Sequence, residues 1–180
     1  MKSEWFNSSG VVVSDDRVGI YGGYEVKTIT PANINANTNL TFTGRTVGGV
    51  GFNTPIPEGG YSDNRDSIGL NGTATLLFDP VSKKSTLNMA FGNWHDVRIE
   101  QTGNGTPSIA FSNWTGSDVN MQLSDATNML SDNRSNFILK YYGDNNVPQE
   151  ATGGVRYIWD NHCVGDCKMV EFNAAFGMKR

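Results

Sequence analysis

Apolar and polar residues alternate along much of this chain with a period of two, the spacing of a strand that buries one face. In the stretch VRYIWD, Val155, Tyr157 and Trp159 fall on one face and Arg156, Ile158 and Asp160 on the other. The same alternation recurs at Val119, Met121 and Leu123 and at Val170, Phe172 and Ala174. No stretch carries a helical period. Strands are expected over residues 40–51, 70–79, 85–91, 108–114 and 136–142, followed by two more near the end of the chain. Residues 93–101 read as a continuation of the third strand through a bulge. Between them lie a Gly/Pro/Asp-rich loop at 55–66, a turn at 80–84 and the Gly103-Asn104-Gly105 hairpin signal.

About eight antiparallel strands suffice to close a barrel that side chains just fill, and closure removes exposed edges. The expected fold is therefore all-β, an eight-stranded antiparallel soluble β-barrel with a short N-terminal appendage. Residues 39–180 form the barrel, and residues 1–38 read as a short hairpin with an Asn-rich linker or a small, truncated domain. At 180 residues the chain can bury roughly 70% of its unfolded surface in one domain. A membrane-spanning barrel shares the alternation, but it needs an apolar outer band and strands of about 9–11 residues. The runs read here are shorter and interrupted.

Charge narrows the function. Fourteen Lys and Arg against 18 Asp and Glu leave a net −4, and no basic block exists to follow a phosphate backbone, so nucleic acid is not an expected partner. The opening residues MKSEWF lack the apolar run of a secretory leader. A trimmed chain with an added start methionine is expected. Six Asn-x-Ser/Thr sequons read as accidents of an Asn- and Thr-rich composition.

Catalysis finds little footing. A G-x-S-x-G turn is lacking, and the two histidines are not set beside a nucleophile with an orienting carboxylate. His95 and Asp96 are neighbours, and strand neighbours point to opposite faces. Asp63, Asp66, Glu58 and Asp79 read as solvated turn residues, so no enzyme activity is expected. Cys163 and Cys167 bracket Val164-Gly165-Asp166, a hairpin tip, and are expected to form a disulfide across it. With His162 they make three ligands, short of the four of a structural zinc site, so no metal is expected. His95 and His162 are the candidate haem ligands. Tyr61, in the 55–66 loop, is the candidate partner-binding residue, because binding residues concentrate on loops held by a rigid scaffold.

Three stretches carry a resemblance. Tyr142-Gly143, a polar loop with Glu150, and then Gly153-Gly154 opening a new strand resemble the "FYG…E…GG" turn of the transferrin-binding protein B lipoproteins. The terminal Phe176-Gly177-Met178-Lys179-Arg180 resembles that family's Phe-Gly-x-Lys/Arg end, and TFTGRTVGG at 41–49 resembles its first barrel strand, "YTGxAVG". The similarity spans residues 40–180 and is specific at the two ends. It implies a non-enzymatic binding protein on the bacterial outer-membrane surface or secreted, exported through a Slam-type outer-membrane translocator and anchored by a lipid. Relatives of that kind capture transferrin, carry haem or support colonisation of a nematode gut. With at most 38 residues before the barrel, this chain lacks room for the large handle domain of transferrin-binding members. Haem or metalloprotein capture and host association are the implied trades. A structural interaction module without a small ligand is the alternative.

Overall fold

The computed structural model describes residues 9–14, 17–22, 28–55, 61–92, 94–112, 128–129, 135–160 and 169–180. Strands β1 (Ser9–Ser14) and β2 (Arg17–Gly22) pair with each other as a separate antiparallel hairpin. β3 (Thr28–Ile29) leads into a single 3-10 turn at Pro31–Asn33. Then follow β4 (Leu40–Pro55), β5 (Tyr61–Asp79), β6 (Lys84–Phe91), β7 (Asp96–Thr102) and β8 (Ser108–Ser112). β9 (Asn128–Met129), β10 (Asn136–Asp144), β11 (Val147–Asp160) and β12 (Met169–Lys179) complete the order. The second sheet has ten strands in the order β3-β10-β11-β12-β4-β5-β6-β7-β8-β9, every neighbouring pair antiparallel.

The all-β expectation holds, and the closed eight-stranded barrel does not. The sheet curls into a half-barrel whose end strands, β3 and β9, each pair over two residues. Two sequence readings are corrected, one in the number of strands and one in the length of a strand. Residues 93–101 do not continue the third strand: the chain reverses after Phe91, and β7 runs back along β6 from Val97 opposite Met89 to Thr102 opposite Lys84. The expected 55–66 loop is also mostly strand, since β5 begins at Tyr61 and pairs with β4, in unbroken register from Arg65 opposite Asn53 and with a register shift before the Pro55–Tyr61 pair. Alternation had marked the buried middle of that strand and missed its Asp- and Ser-rich extension.

Alternation sets the core. Leu40, Phe42 and Val50 of β4, Leu70, Leu76 and Phe78 of β5, and Phe172, Phe176 and Met178 of β12 all point inward and are buried. Outward positions such as Thr41, Thr43, Thr73, Thr75 and Asn88 are exposed. The curl is tight enough for opposite walls to touch. Tyr141 of β10 and Ser85 of β6 share a 2.8 Å hydrogen bond across the interior, although β11, β12, β4 and β5 lie between them in the sheet. Phe42 and Phe78 flank the Tyr141 ring at 5.8 and 5.6 Å.

Burial pushes the Tyr141 phenol well above its usual 10.0, the Ser85 bond opposing the shift. The folded state therefore holds this proton more tightly than the unfolded chain, and its contribution is intact below pH 10 and lost progressively as pH rises above it. Tyr141→Phe is expected to cost about 1 kcal/mol near neutral pH, because the buried Ser85 hydroxyl loses its partner. Urea melts of both proteins from pH 7 to 11 test this: the wild-type advantage should shrink at the alkaline end.

The glycine signature and its neighbours are also placed differently from the sequence reading. Gly153 and Gly154 lie inside β11, and Glu150 belongs to that strand, where it meets Lys179 at 3.3 Å. The actual turn is Asn145-Asn146, with φ of 53° and 61°, the left-handed pair that a two-residue type I′ hairpin requires. Gly153 is needed for close approach: a Cβ there would stand 2.0 Å from the Ile138 carbonyl oxygen and 2.4 Å from the Phe176 ring.

Candidate functional site

The reversal between β6 and β7 carries Trp94 and His95 into the end of the half-barrel. Trp94 is fully buried and stacks on Phe172 at 5.1 Å with 24° between the planes. Phe111 and Phe91 approach its ring at 5.7 and 6.5 Å, and Tyr157 extends the cluster through Phe111 at 5.5 Å. Quadrupole attraction favours such tilted and offset contacts. The Trp94 indole N–H has no hydrogen-bond acceptor in this cluster. His95 is 5% exposed and stands edge-on to Trp94 at 5.4 Å. Of the two haem-ligand candidates, His95 is thus set in an aromatic wall, while His162 lies outside the described residues, as do Cys163, Cys167 and Trp114.

Tyr61 occupies the other notable position. It is the first residue of β5, paired with Pro55 at the outer end of the β4–β5 hairpin. β4 and β5 remain paired from Leu40 opposite Phe78 out to this point, whereas β5 meets β6 only from Gly72 onward. The hairpin therefore runs roughly 35 Å past β6, at about 3.3 Å per residue. β12 backs it as far as Asn53. The sequence analysis expects Tyr61 in a loop; it opens a strand instead, at the end of two paired strands.

Two further polar stretches are held in place. Ser135 is buried, and its hydroxyl accepts a bond from the Ile158 N–H at 3.1 Å. Residues 131–134 lie outside the described residues. Within 31–39, the Asn35 N–H donates to the Asn146 carbonyl at 2.9 Å, Lys83 Nζ donates to the Ile34 carbonyl at 3.4 Å, and Ile34 is buried. Ile34 and Ile29 of β3 were missed as core residues, because each stands alone in a polar context with no period around it.

Charged groups sit on the outer wall. Glu100 binds Lys84 at 2.8 Å and Arg98 at 2.5 Å, and these bonds hold its carboxyl below the usual range. Asp79 is exposed and accepts bonds from the Val81 N–H and the Ser82 hydroxyl, which lower its pKa in the same direction. Its role is a turn, as the sequence suggested. Among the described residues no group of three His, Cys, Asp or Glu side chains converges as metal ligands would.

No protein-family model and no curated protein matches the chain. The likeness to the transferrin-binding protein B lipoproteins thus rests on the three motifs, of which TFTGRTVGG begins β4 and FGMKR ends β12. Those two strands pair directly, Gly44 opposite Met178 and Thr46 opposite Phe176.

Proposed function

We propose that the chain is a non-enzymatic binding protein of a bacterial cell surface, exported through a Slam-type translocator, and that it engages a macromolecular partner from outside the sheet. The observation that carries this reading is the β4–β5 hairpin, which projects past β6 on a backing of β12 and ends at Pro55 and Tyr61. Strands paired on both sides are preorganised, and preorganisation lowers the ordering cost of binding. The inward face is taken up by side chains, with Tyr141 bonded across it to Ser85 and Trp94 stacked on Phe172. That favours an external partner over a ligand such as haem held inside. The outward Thr and Asn positions favour water on the outer wall, the reverse of the apolar band a lipid-facing barrel presents.

Export and partner binding are tested separately. Given a lipoprotein leader and expressed in a Gram-negative host, the chain should become accessible to external protease only when a Slam-type translocator is co-expressed. Equal accessibility without the translocator would remove that part of the reading. In haem titration the Soret band should remain that of free haem. A shifted band abolished by His95→Ala would assign the chain to haem capture instead. Tyr61→Ala is expected to leave the melting temperature unchanged and to weaken binding of the labelled chain to arrayed host surface and serum proteins by about tenfold or more, as loss of an aromatic anchor does. A variant that unfolds would make Tyr61 a structural residue.

A further inference from the structure

β10 is fully paired on one side only. β11 accompanies it along its whole length, whereas β3 meets its other side at Tyr141 and Tyr142 alone. Among the described residues, no strand covers that second side from Asn136 to Lys140. Ile138 and Lys140 line an open groove of about 240 Å³ together with Gln101 at the end of β7, Asn104 of the β7–β8 turn and Pro31. An uncovered strand edge is a row of amide and carbonyl groups at the spacing another strand can match, and proteins commonly block such edges. Here the blocking is incomplete: Ile138, on the outward face, is 52% exposed.

We propose that this groove takes an extended segment of a partner polypeptide, which adds to the edge of β10 as a further strand and carries an acidic side chain beside Lys140. Main-chain hydrogen bonds supply the affinity in this mode of recognition, and alternate side chains supply the selectivity. The charge preference comes from the lining, where Lys140 is the only ionised group. The occupant is a single extended segment because the stretch of β10 without a second described neighbour is short, Asn136 to Lys140, and shares its groove with Gln101 and Asn104 of the β7–β8 hairpin. Ile138 gives the incoming strand an apolar neighbour on the outer face. This site lies on the body of the sheet and does not depend on the β4–β5 tip.

The test uses the full chain and a defined probe, acetyl-Thr-Val-Glu-Val-Thr-Val-amide, with a second peptide carrying Lys in place of Glu. Hydrogen exchange followed by mass spectrometry should show residues 136–140 exchanging faster than β12 in the free protein and becoming protected when the Glu peptide is added. Ile138→Glu, at an exposed position, should keep the wild-type melting temperature and weaken the Glu peptide at least tenfold. Lys140→Glu should reverse the preference, so that the Lys peptide binds more tightly than the Glu peptide. Slow exchange of 136–140 in the free protein would mean that this chain already covers its own edge, and would overturn the proposal. So would a concentration-dependent dimer abolished by Ile138→Glu, which would make a second copy the occupant. Failure of the Glu peptide to protect the edge at millimolar concentration would overturn it as well.

Discussion

Deleting residues 171–180 is expected to abolish folding. These residues are most of β12, which is hydrogen-bonded to β11 on one side and to β4 on the other. Without them the sheet falls into two parts, β3-β10-β11 and β4 through β9, whose exposed edges would have to find each other over the gap. The deletion also removes Phe172, Ala174, Phe176 and Met178 from the core. Each large apolar side chain fully buried contributes about 1.5–3 kcal/mol, so the loss approaches the whole stability of an ordinary domain, about 5–15 kcal/mol. Circular dichroism and a thermal melt decide the matter. A truncated protein that melts cooperatively at the wild-type temperature would show that β12 is not a central strand.

Phe172→Ala should be the most damaging of the single substitutions considered for the core, at about 3–5 kcal/mol. Phe172 is the ring on which the aromatic cluster converges: Trp94 stacks on it at 5.1 Å, while Phe91 and Phe111 meet it edge-on at 6.1 and 5.8 Å. Truncation leaves a cavity against rings on β6, on β8 and on the reversal after β6, and β6 and β8 are held in place by their own ladders. The melting temperature should fall by about 10 °C, and the near-ultraviolet dichroism of Trp94 should weaken with it. Phe172→Leu should recover much of the loss. If the alanine variant loses less than about 1 kcal/mol, the cluster is not the packed end of the half-barrel that the ring geometry describes.

The motifs at 41–49 and 176–180 show how far local pattern reaches. Each was legible as a strand, because Phe42 and Phe176 sit in period-two surroundings, but nothing in either stretch says that Thr46 faces Phe176 across a ladder. The buried Thr46 hydroxyl makes the same point, donating to the Ala175 carbonyl at 3.0 Å from far away in sequence. Tyr61 was legible only as a residue of the Gly/Pro/Asp-rich 55–66 stretch. Its strand was not, since an Asp- and Ser-rich run has low strand propensity and was overridden by pairing with β4. The groove beside β10 was illegible altogether: Gln101 and Asn104 come from the β7–β8 hairpin and Pro31 from the 3-10 turn, segments far apart in sequence that meet only because the sheet curls.

By itself, then, the sequence determined the all-β class, the inward and outward faces of the main strands, the Gly-Asn-Gly turn and the lack of a basic surface. All of these are local properties, written in period and composition within a few residues. Tertiary structure alone decided the number and order of strands, the open half-barrel in place of a closed one, the burial of His95 and Ser135, and the uncovered edge of β10. Alternation records which side of a strand avoids water, and it is silent about the neighbour on either edge. That neighbour is chosen by backbone hydrogen bonds, and the backbone is the same at every residue but proline.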